Sequence, residues 1–322
     1  MPSNTQQTFR THANYISAIR YVLSGGNLLN SKSSLELIAS RVRDSGVLKS
    51  TKIYKADVAQ VHHSLNNAWG VQALFKMGDK FIKEDDLVRL SNNWSIVQTY
   101  YILYYTTQAL VISEGYSKPL THPQVHRTYY LYWSKQPWLL SPWSISHDED
   151  GFHNLPPGIF VDDSVHPWKR VEELTALSLF CKALRTTREE LIKDGLTRRK
   201  QRIAKKEDKL LSRVRLTKNQ KRETDVRIRP TMLINYLYRL KRKTNYEQSS
   251  MLAIGPENMY QLNEFRENLG FLIEANLLIT EMITKNAVGV DTYYSWCKEW
   301  DKYKSPAMDI GPGNRMKIIG NL

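Results

Sequence analysis

The chain has 322 residues, of which 41% are hydrophobic, and it carries a net charge of +14 with an isoelectric point near 9.6. This length suggests two or three domains, and the excess of cations points to an anionic polymer or surface as a partner. The two cysteines lie far apart in sequence, which excludes a disulfide framework. No run of about 18 apolar residues occurs, which excludes a membrane span. The N-terminus has no apolar signal-peptide core, so the sequence predicts a cytoplasmic protein.

Helical periodicity organises the first 135 residues. Apolar residues recur at intervals of three and four in five stretches, which are residues 15–23, 31–43, 56–77, 91–114 and 123–135. The first dozen residues lack this pattern and are expected to be disordered. Five helices in 1–135 predict one helical bundle.

The fourth stretch contains four tyrosines, in the sequence QTYYILYYTTQALVI at residues 98–112. Tyr100 and Tyr104, and likewise Tyr101 and Tyr105, are four residues apart and therefore share a face of a helix. Apolar residues occupy most of the remaining circumference, which is typical of a buried helix. Because a buried tyrosine hydroxyl needs a hydrogen-bond partner, the stretch predicts a polar seam inside the bundle.

The tyrosine-rich helix is followed by a break at Gly115 and by a helix start at residues 121–125, THPQV. This order resembles the HEPN family, small helical bundles often found in prokaryotic toxin–antitoxin and antiviral systems. The resemblance covers residues 85–135. It implies a component of a bacterial defence or toxin system that forms a homodimer, or a related homo-oligomer, through its bundle.

Catalytic HEPN proteins carry an Arg on this helix and a His four to six residues later, and they cut RNA without a metal. The matching positions here are Gln98 and Tyr105. A neutral Gln cannot offset charge on phosphorus as a guanidinium does, and Tyr, with an ordinary pKa of about 10, is a poor base near neutral pH. The resemblance therefore implies a non-catalytic member of the family.

The alternative is a metal-independent endoribonuclease with an altered active site. His122 and His126 are four residues apart and follow the tyrosine-rich helix closely, so they are candidate acid and base groups, together with Tyr105 and Arg127. The simpler interpretation is that His122 caps a helix and His126 lies on a solvated face. No cofactor or metal is expected, since phosphate-loop and dinucleotide-binding motifs are missing and the acidic loop at 147–153 is more readily explained by solvation.

Residues 136–168, rich in Pro and Trp, show no periodicity and predict a long ordered loop. Helical patterns return at 169–193, from Pro230 to Lys243, at 257–284 and at 291–303, and they predict a C-terminal helical lobe over 169–303. The tail at 304–322 is expected to be irregular. With no strand alternation of note, the predicted class is all-α.

The segment 198–229 holds 14 Lys or Arg and four acidic residues, so it carries +10 of the total charge of +14. A solvated helix and a disordered arm fit this composition equally well. Such a run can neutralise RNA or DNA phosphates, but it contains no aromatic residue that would stack on bases. Alternatives are a charged linker, an adaptor that contacts an acidic protein, and an acidic membrane surface.

The candidate nucleic-acid-binding residues comprise all cations of this segment and those at the end of the helix that follows it. They are Arg198, Arg199, Lys200, Arg202, Lys205, Lys206, Lys209, Arg213, Arg215, Lys218, Lys221, Arg222, Arg227, Arg229, Arg239, Lys241, Arg242 and Lys243.

Overall fold

The computed structural model describes residues 3–26, 30–50, 57–81, 84–169, 171–247, 250–302 and 311–320. Its α-helices are α1 (Asn4–Ser24), α2 (Ser31–Asp44), α3 (Val47–Ser50), α4 (Val58–Phe81), α5 (Asp85–Ser113), α6 (His122–Trp133), α7 (Glu173–Lys206), α8 (Lys218–Val226), α9 (Leu233–Arg242), α10 (Ser250–Ile254), α11 (Met259–Val288), α12 (Val290–Lys302) and α13 (Pro312–Gly320). Two short antiparallel strands, β1 (Ser146–His147) and β2 (Phe152–His153), form a ribbon. The predicted all-α class is confirmed.

Helices α5 and α11 lie at the centre of the fold. Helix α5, which carries the four tyrosines, packs against α4, α11, α9, α6 and α10. Tyr100 is fully buried and Tyr104 nearly so, while Tyr101 and Tyr105 are half-buried. This confirms the buried tyrosine-rich helix that the sequence predicts.

Both ends of the chain contribute to one core. Buried apolar side chains form a cluster that runs from Phe9 of α1 to Ile319 of α13. Helix α1 packs along α7, and α11 packs against both α5 and α2. The segments predicted as an N-terminal bundle and a C-terminal lobe therefore share a core, and their division into separately folding domains stays a prediction.

The segment between the two predicted parts is largely irregular and packed by its aromatics, as the sequence indicates. Trp143 is buried and stacks on Trp133 of α6, with ring centroids 6.0 Å apart. The β1–β2 ribbon within this segment was not predicted. It extends to a backbone pairing between His147 and Thr231, which ties the segment to the start of α9.

The N-terminus and the tail differ from expectation. Helix α1 begins at Asn4, within the residues expected to be disordered, because Ser3 caps it and exchanges hydrogen bonds with Gln6. The tail predicted as irregular contains α13; residues 303–310 and 321–322 lie outside the described ranges. Helix α13 is held by Met316 and Ile319, which pack in the core, and by a buried arginine, Arg315.

Arg315 enters a network of buried charges at the centre of the fold. Its guanidinium donates from Nε and Nη2 to the two carboxylate oxygens of Glu281, at 2.8 and 2.6 Å, and from Nη1 to Glu274 at 2.8 Å. Trp69 Nε1 also donates to Glu281, at 2.7 Å. The Glu281 side chain is wholly buried and that of Arg315 is 3% exposed, so the pair is shielded from water.

Candidate functional site

The tyrosine-rich helix and α6 meet at a cluster of polar aromatic side chains. The hydroxyl of Tyr100 lies 2.7 Å from Nδ1 of His122 and 3.1 Å from Nε2 of His126. Helix α6 presents both imidazoles to α5 because they are one turn apart. Its first turn is fixed by Thr121, whose side chain caps the helix and forms a capping box with Gln124.

A lysine from α9 completes this cluster. Lys241 is 8% exposed, and its Nζ lies 4.9, 4.5 and 5.7 Å from the ring centroids of Tyr100, Tyr101 and Tyr238. It also donates a hydrogen bond to the Tyr101 hydroxyl at 3.3 Å. No carboxylate among the described residues forms an ion pair with it, so the ring faces are its main electrostatic partners. We call Tyr100, His122, His126, Tyr238 and Lys241 the Tyr–His cluster.

Burial sets the protonation of this cluster. It lowers the pKa of His126 to about 4, with further lowering by His122 and Lys241. Burial and Lys241 also lower the pKa of His122, and burial raises the pKa of Tyr100. At neutral pH the two imidazoles are therefore uncharged and Tyr100 keeps its proton. Because a phenol has one proton, it donates to one imidazole and accepts a hydrogen bond from the other.

We expect acid to destabilise the protein through His126. The pKa of His126 is about 4 in the folded chain and about 6.5 in the unfolded chain. Between these two pH values the imidazole is protonated in the unfolded chain and uncharged in the folded chain, so acid favours unfolding. Stability should fall from neutral pH to about pH 4.5, with a contribution of about 2 kcal/mol from this residue. Urea unfolding of wild type and His126→Gln at both pH values measures it: the loss should be smaller in the variant. Equal losses would contradict the assignment.

The structure brings together two of the four predicted catalytic residues. His122 and His126 share Tyr100, whereas the expected solvated position of His126 is not observed and Thr121, not His122, caps α6. Tyr105 stacks on Tyr101, with ring centroids 6.2 Å apart, and its ring contacts neither imidazole. Arg127 is exposed and lines a separate cavity beside α6.

Two members of the Tyr–His cluster, Tyr100 and Tyr238, were not predicted as site residues, and Lys241 was predicted to bind nucleic acid and not to join this cluster. The sequence predicted Tyr100 as a buried tyrosine in a polar seam. Its need for a hydrogen-bond partner there is the signal that could have identified it as a site residue. Lys241 and Tyr238 come from α9, which is more than a hundred residues away in sequence, so no local pattern connects them with α5.

The basic segment folds as a helical hairpin, which we call the basic hairpin (residues 198–229). The end of α7 and the whole of α8 run side by side, joined by a turn that buries Val214. Arg199 of α7 donates to the backbone oxygen of Gln220 at 2.8 Å and to Glu223 at 2.9 Å. A disordered arm is therefore not what the structure shows.

Arg188 fixes the base of this hairpin. Its guanidinium is 3% exposed and lies 2.5 Å from a carboxylate oxygen of Asp225 and 3.3 Å from one of Glu149. It also donates to the backbone oxygens of Asp225 and Ile228, at 3.0 and 3.2 Å. The hairpin is thus attached to the core through a buried cation and not through a flexible link.

Most cations of the basic hairpin have no internal partner. Of the 14 Lys and Arg, Arg199 pairs with Glu223 and Lys209 with Glu207. The other twelve form no ion pair with any residue in the described ranges, and all of them except Lys200 are exposed. The hairpin therefore presents a dense positive surface to solvent.

The four cations at and just beyond the end of α9 all have partners within the protein. Arg239 and Lys243 lie 2.5 and 3.7 Å from the Glu190 carboxylate, and Arg242 lies 3.4 Å from that of Asp194. Lys241 belongs to the Tyr–His cluster. These four are therefore less available to a ligand than the cations of the basic hairpin.

The acidic loop at 147–153 is organised by a contact between His153 Nε2 and a carboxylate oxygen of Asp148, which are 2.8 Å apart. In the part of the chain that the structure describes, no group of three or more His, Cys, Asp or Glu side chains is placed to hold a metal ion. Within the same ranges, no helix is both long enough and apolar enough to cross a bilayer.

Comparison with known proteins gives no match to a family model, to a curated protein or to a solved structure. The function is therefore inferred from the basic hairpin and the Tyr–His cluster.

Proposed function

We propose that the protein binds nucleic acid, RNA or DNA, through the basic hairpin. The observation that carries this proposal is the set of twelve Lys and Arg side chains without internal ion pairs on one folded hairpin. Like charges held together repel one another, and a polyanion relieves this repulsion. Lys and Arg that neutralise phosphates also release condensed counterions, which supplies most of the affinity of such complexes.

The residue types of the hairpin suggest how it binds. It has no aromatic side chain to stack on bases, so the contacts are expected to be with phosphates and to carry little sequence preference. Its two helices are joined by Arg199 and anchored by Arg188, which gives the cations a fixed spacing. A fixed spacing costs less entropy on binding than an ordering arm would.

The test compares two triple variants that remove equal charge. Arg202→Gln, Lys206→Gln and Arg213→Gln act on the basic hairpin, whereas Lys49→Gln, Lys298→Gln and Lys302→Gln remove three exposed cations elsewhere. Binding of duplex and single-stranded oligonucleotides is followed by fluorescence anisotropy between about 50 mM and about 200 mM salt. The slope of log K against log salt is negative, and its magnitude should be smaller by about 3 in the hairpin variant. The affinity of that variant should be about 10- to 100-fold lower at about 0.1 M salt.

Two outcomes would contradict the proposal. If both variants change the salt slope equally, the hairpin is not the binding surface. If the hairpin variant loses affinity for an acidic polypeptide while wild type binds no oligonucleotide, the protein is an adaptor for an acidic partner. Phosphate binding is compatible with the HEPN resemblance, with the homodimer and with a role in a bacterial defence or toxin system. These three stay predictions.

The second candidate function is a metal-independent endoribonuclease, and the Tyr–His cluster favours it. Nε2 of His122 makes no hydrogen bond with any described residue. In the tautomer whose Nδ1–H donates to Tyr100, Nε2 carries a lone pair and can take the proton of a ribose 2′-hydroxyl. Lys241 would offset charge on the phosphorus, and Tyr100 would orient the imidazole. Incubation of total RNA in EDTA, with variants of the cluster, tests this function.

A further inference from the structure

An open cavity of about 590 Å³ lies between the end of α5, the loop at 114–121 and α6. Such a volume is typical of small-molecule sites and too small for a folded partner. Its apolar lining includes Tyr116, Leu131 and Tyr132. Tyr116 is 68% exposed and Leu131 is 44% exposed, so this lining would be covered by a bound molecule.

The loop that forms one wall of the cavity is fixed to both helices. The Tyr104 hydroxyl donates to the backbone oxygen of Leu120 at 2.8 Å, and Gln108 Nε2 donates to that of Pro119 at 2.6 Å. From α6, Gln124 Oε1 accepts hydrogen bonds from the backbone nitrogens of Leu120 and Thr121, at 2.9 and 3.0 Å. The cavity is therefore formed before any ligand arrives, which lowers the cost of binding.

The charges around the cavity favour an anion. Lys118 of the loop, Arg127 of α6 and Lys135 just beyond α6 all line it, and none has an ion pair or side-chain hydrogen bond with a described residue. The lining contains one acidic residue, Glu114, and burial raises the pKa of its carboxyl. Three unpaired cations around an apolar surface therefore match a molecule with one anionic end.

We infer that this cavity binds a small organic anion, a phosphate monoester or a carboxylate with an aromatic or aliphatic body. The body would pack on Tyr116, Leu131 and Tyr132, and the anionic group would accept charge-assisted hydrogen bonds from Lys118 and Arg127. No residue of the basic hairpin or of the Tyr–His cluster is among those that line the cavity. The cavity is thus separate from the residues that carry the two proposed functions.

The experiment uses the full chain and four probes: phenyl phosphate, phenylacetate, inorganic phosphate and benzyl alcohol. Isothermal titration calorimetry should show phenyl phosphate, phenylacetate or both binding about 10-fold more tightly than the last two probes, because both an anion and an apolar body are needed. The tighter of the two organic anions identifies the preferred group. The double variant Lys118→Gln and Arg127→Gln should weaken binding about 10-fold, and Thr128→Trp should block the cavity.

The double variant Lys298→Gln and Lys302→Gln, which removes two exposed cations of α12, is the matched control and should bind as wild type does. If Thr128→Trp lowers the thermal stability, the double variant of Lys118 and Arg127 still decides the result. The inference is overturned if neither organic anion binds, or if the double variant of Lys118 and Arg127 binds as tightly as wild type. Oligonucleotide binding by the hairpin is measured separately, so failure here leaves the nucleic-acid proposal standing.

Discussion

Replacing Arg315 with Met is expected to lower the free energy of unfolding by about 3–5 kcal/mol. The substitution removes the cation that Glu281 and Glu274 share and leaves the wholly buried Glu281 with only Trp69 Nε1 as a hydrogen-bond donor from the network. An uncompensated buried carboxylate must either stay charged without a counter-ion or take up a proton, and both cost free energy. Urea unfolding at neutral pH measures the change.

Two further variants separate a lost ion pair from a general effect on α13. Lys317→Met lies on the exposed side of the same helix and should change stability by less than about 0.5 kcal/mol. The triple variant Arg315→Met, Glu281→Met and Glu274→Gln removes the charges together and should recover most of the loss. A loss below about 1 kcal/mol in Arg315→Met would show that the carboxylates find another partner.

If the second candidate function is correct, His122→Ala and His126→Ala should each lower RNA cleavage in EDTA by about 10²- to 10⁴-fold. His122 is the proposed base, and His126 holds Tyr100 in place beside it. Tyr105→Phe is the matched control, because it removes a tyrosine hydroxyl from the same helix whose ring contacts neither imidazole. Cleavage of labelled RNA over time gives the rates, and circular dichroism checks that each variant is folded.

Absence of cleavage by wild type, or cleavage that stops in EDTA, would exclude this function. An equal loss in Tyr105→Phe would move the site away from the Tyr–His cluster. Neither result bears on the salt dependence of oligonucleotide binding, so the two proposed functions are tested independently.

Local patterns were sufficient for the helices whose apolar residues face the core. The spacing of Tyr100 and Tyr104 predicted a buried α5 with a polar seam, and THPQV predicted the start of α6. They were insufficient where a helix depends on distant partners. The residues around Pro312 form α13, which contributes Arg315 to a pair with Glu281 34 residues earlier, and no periodicity in so short a segment reports that contact.

The candidate site was predicted only in part, because some of its residues are brought together by contacts between segments that are far apart in sequence. His122 and His126 were singled out because they are close to α5 in sequence. Lys241 lies in a run of cations at the end of α9, where a surface position is the ordinary expectation, and only the packing of α9 against α5 buries it. The hairpin fold of the basic segment depends on Arg188 and Arg199, whose acidic partners are 24 to 39 residues away.

The position of Arg315 has a consequence for biosynthesis. Glu281 is made 34 residues before Arg315, so during translation α11 is complete while its buried carboxylate still lacks a cation. Until α13 leaves the ribosome and docks, packing α11 against α4 and α5 buries the Glu281 carboxylate without its cation, which costs free energy whether the carboxylate stays charged or takes up a proton. The final packing of the central helices therefore requires a segment that is synthesised after them, and a polypeptide released before Arg315 would lack the cation of this network.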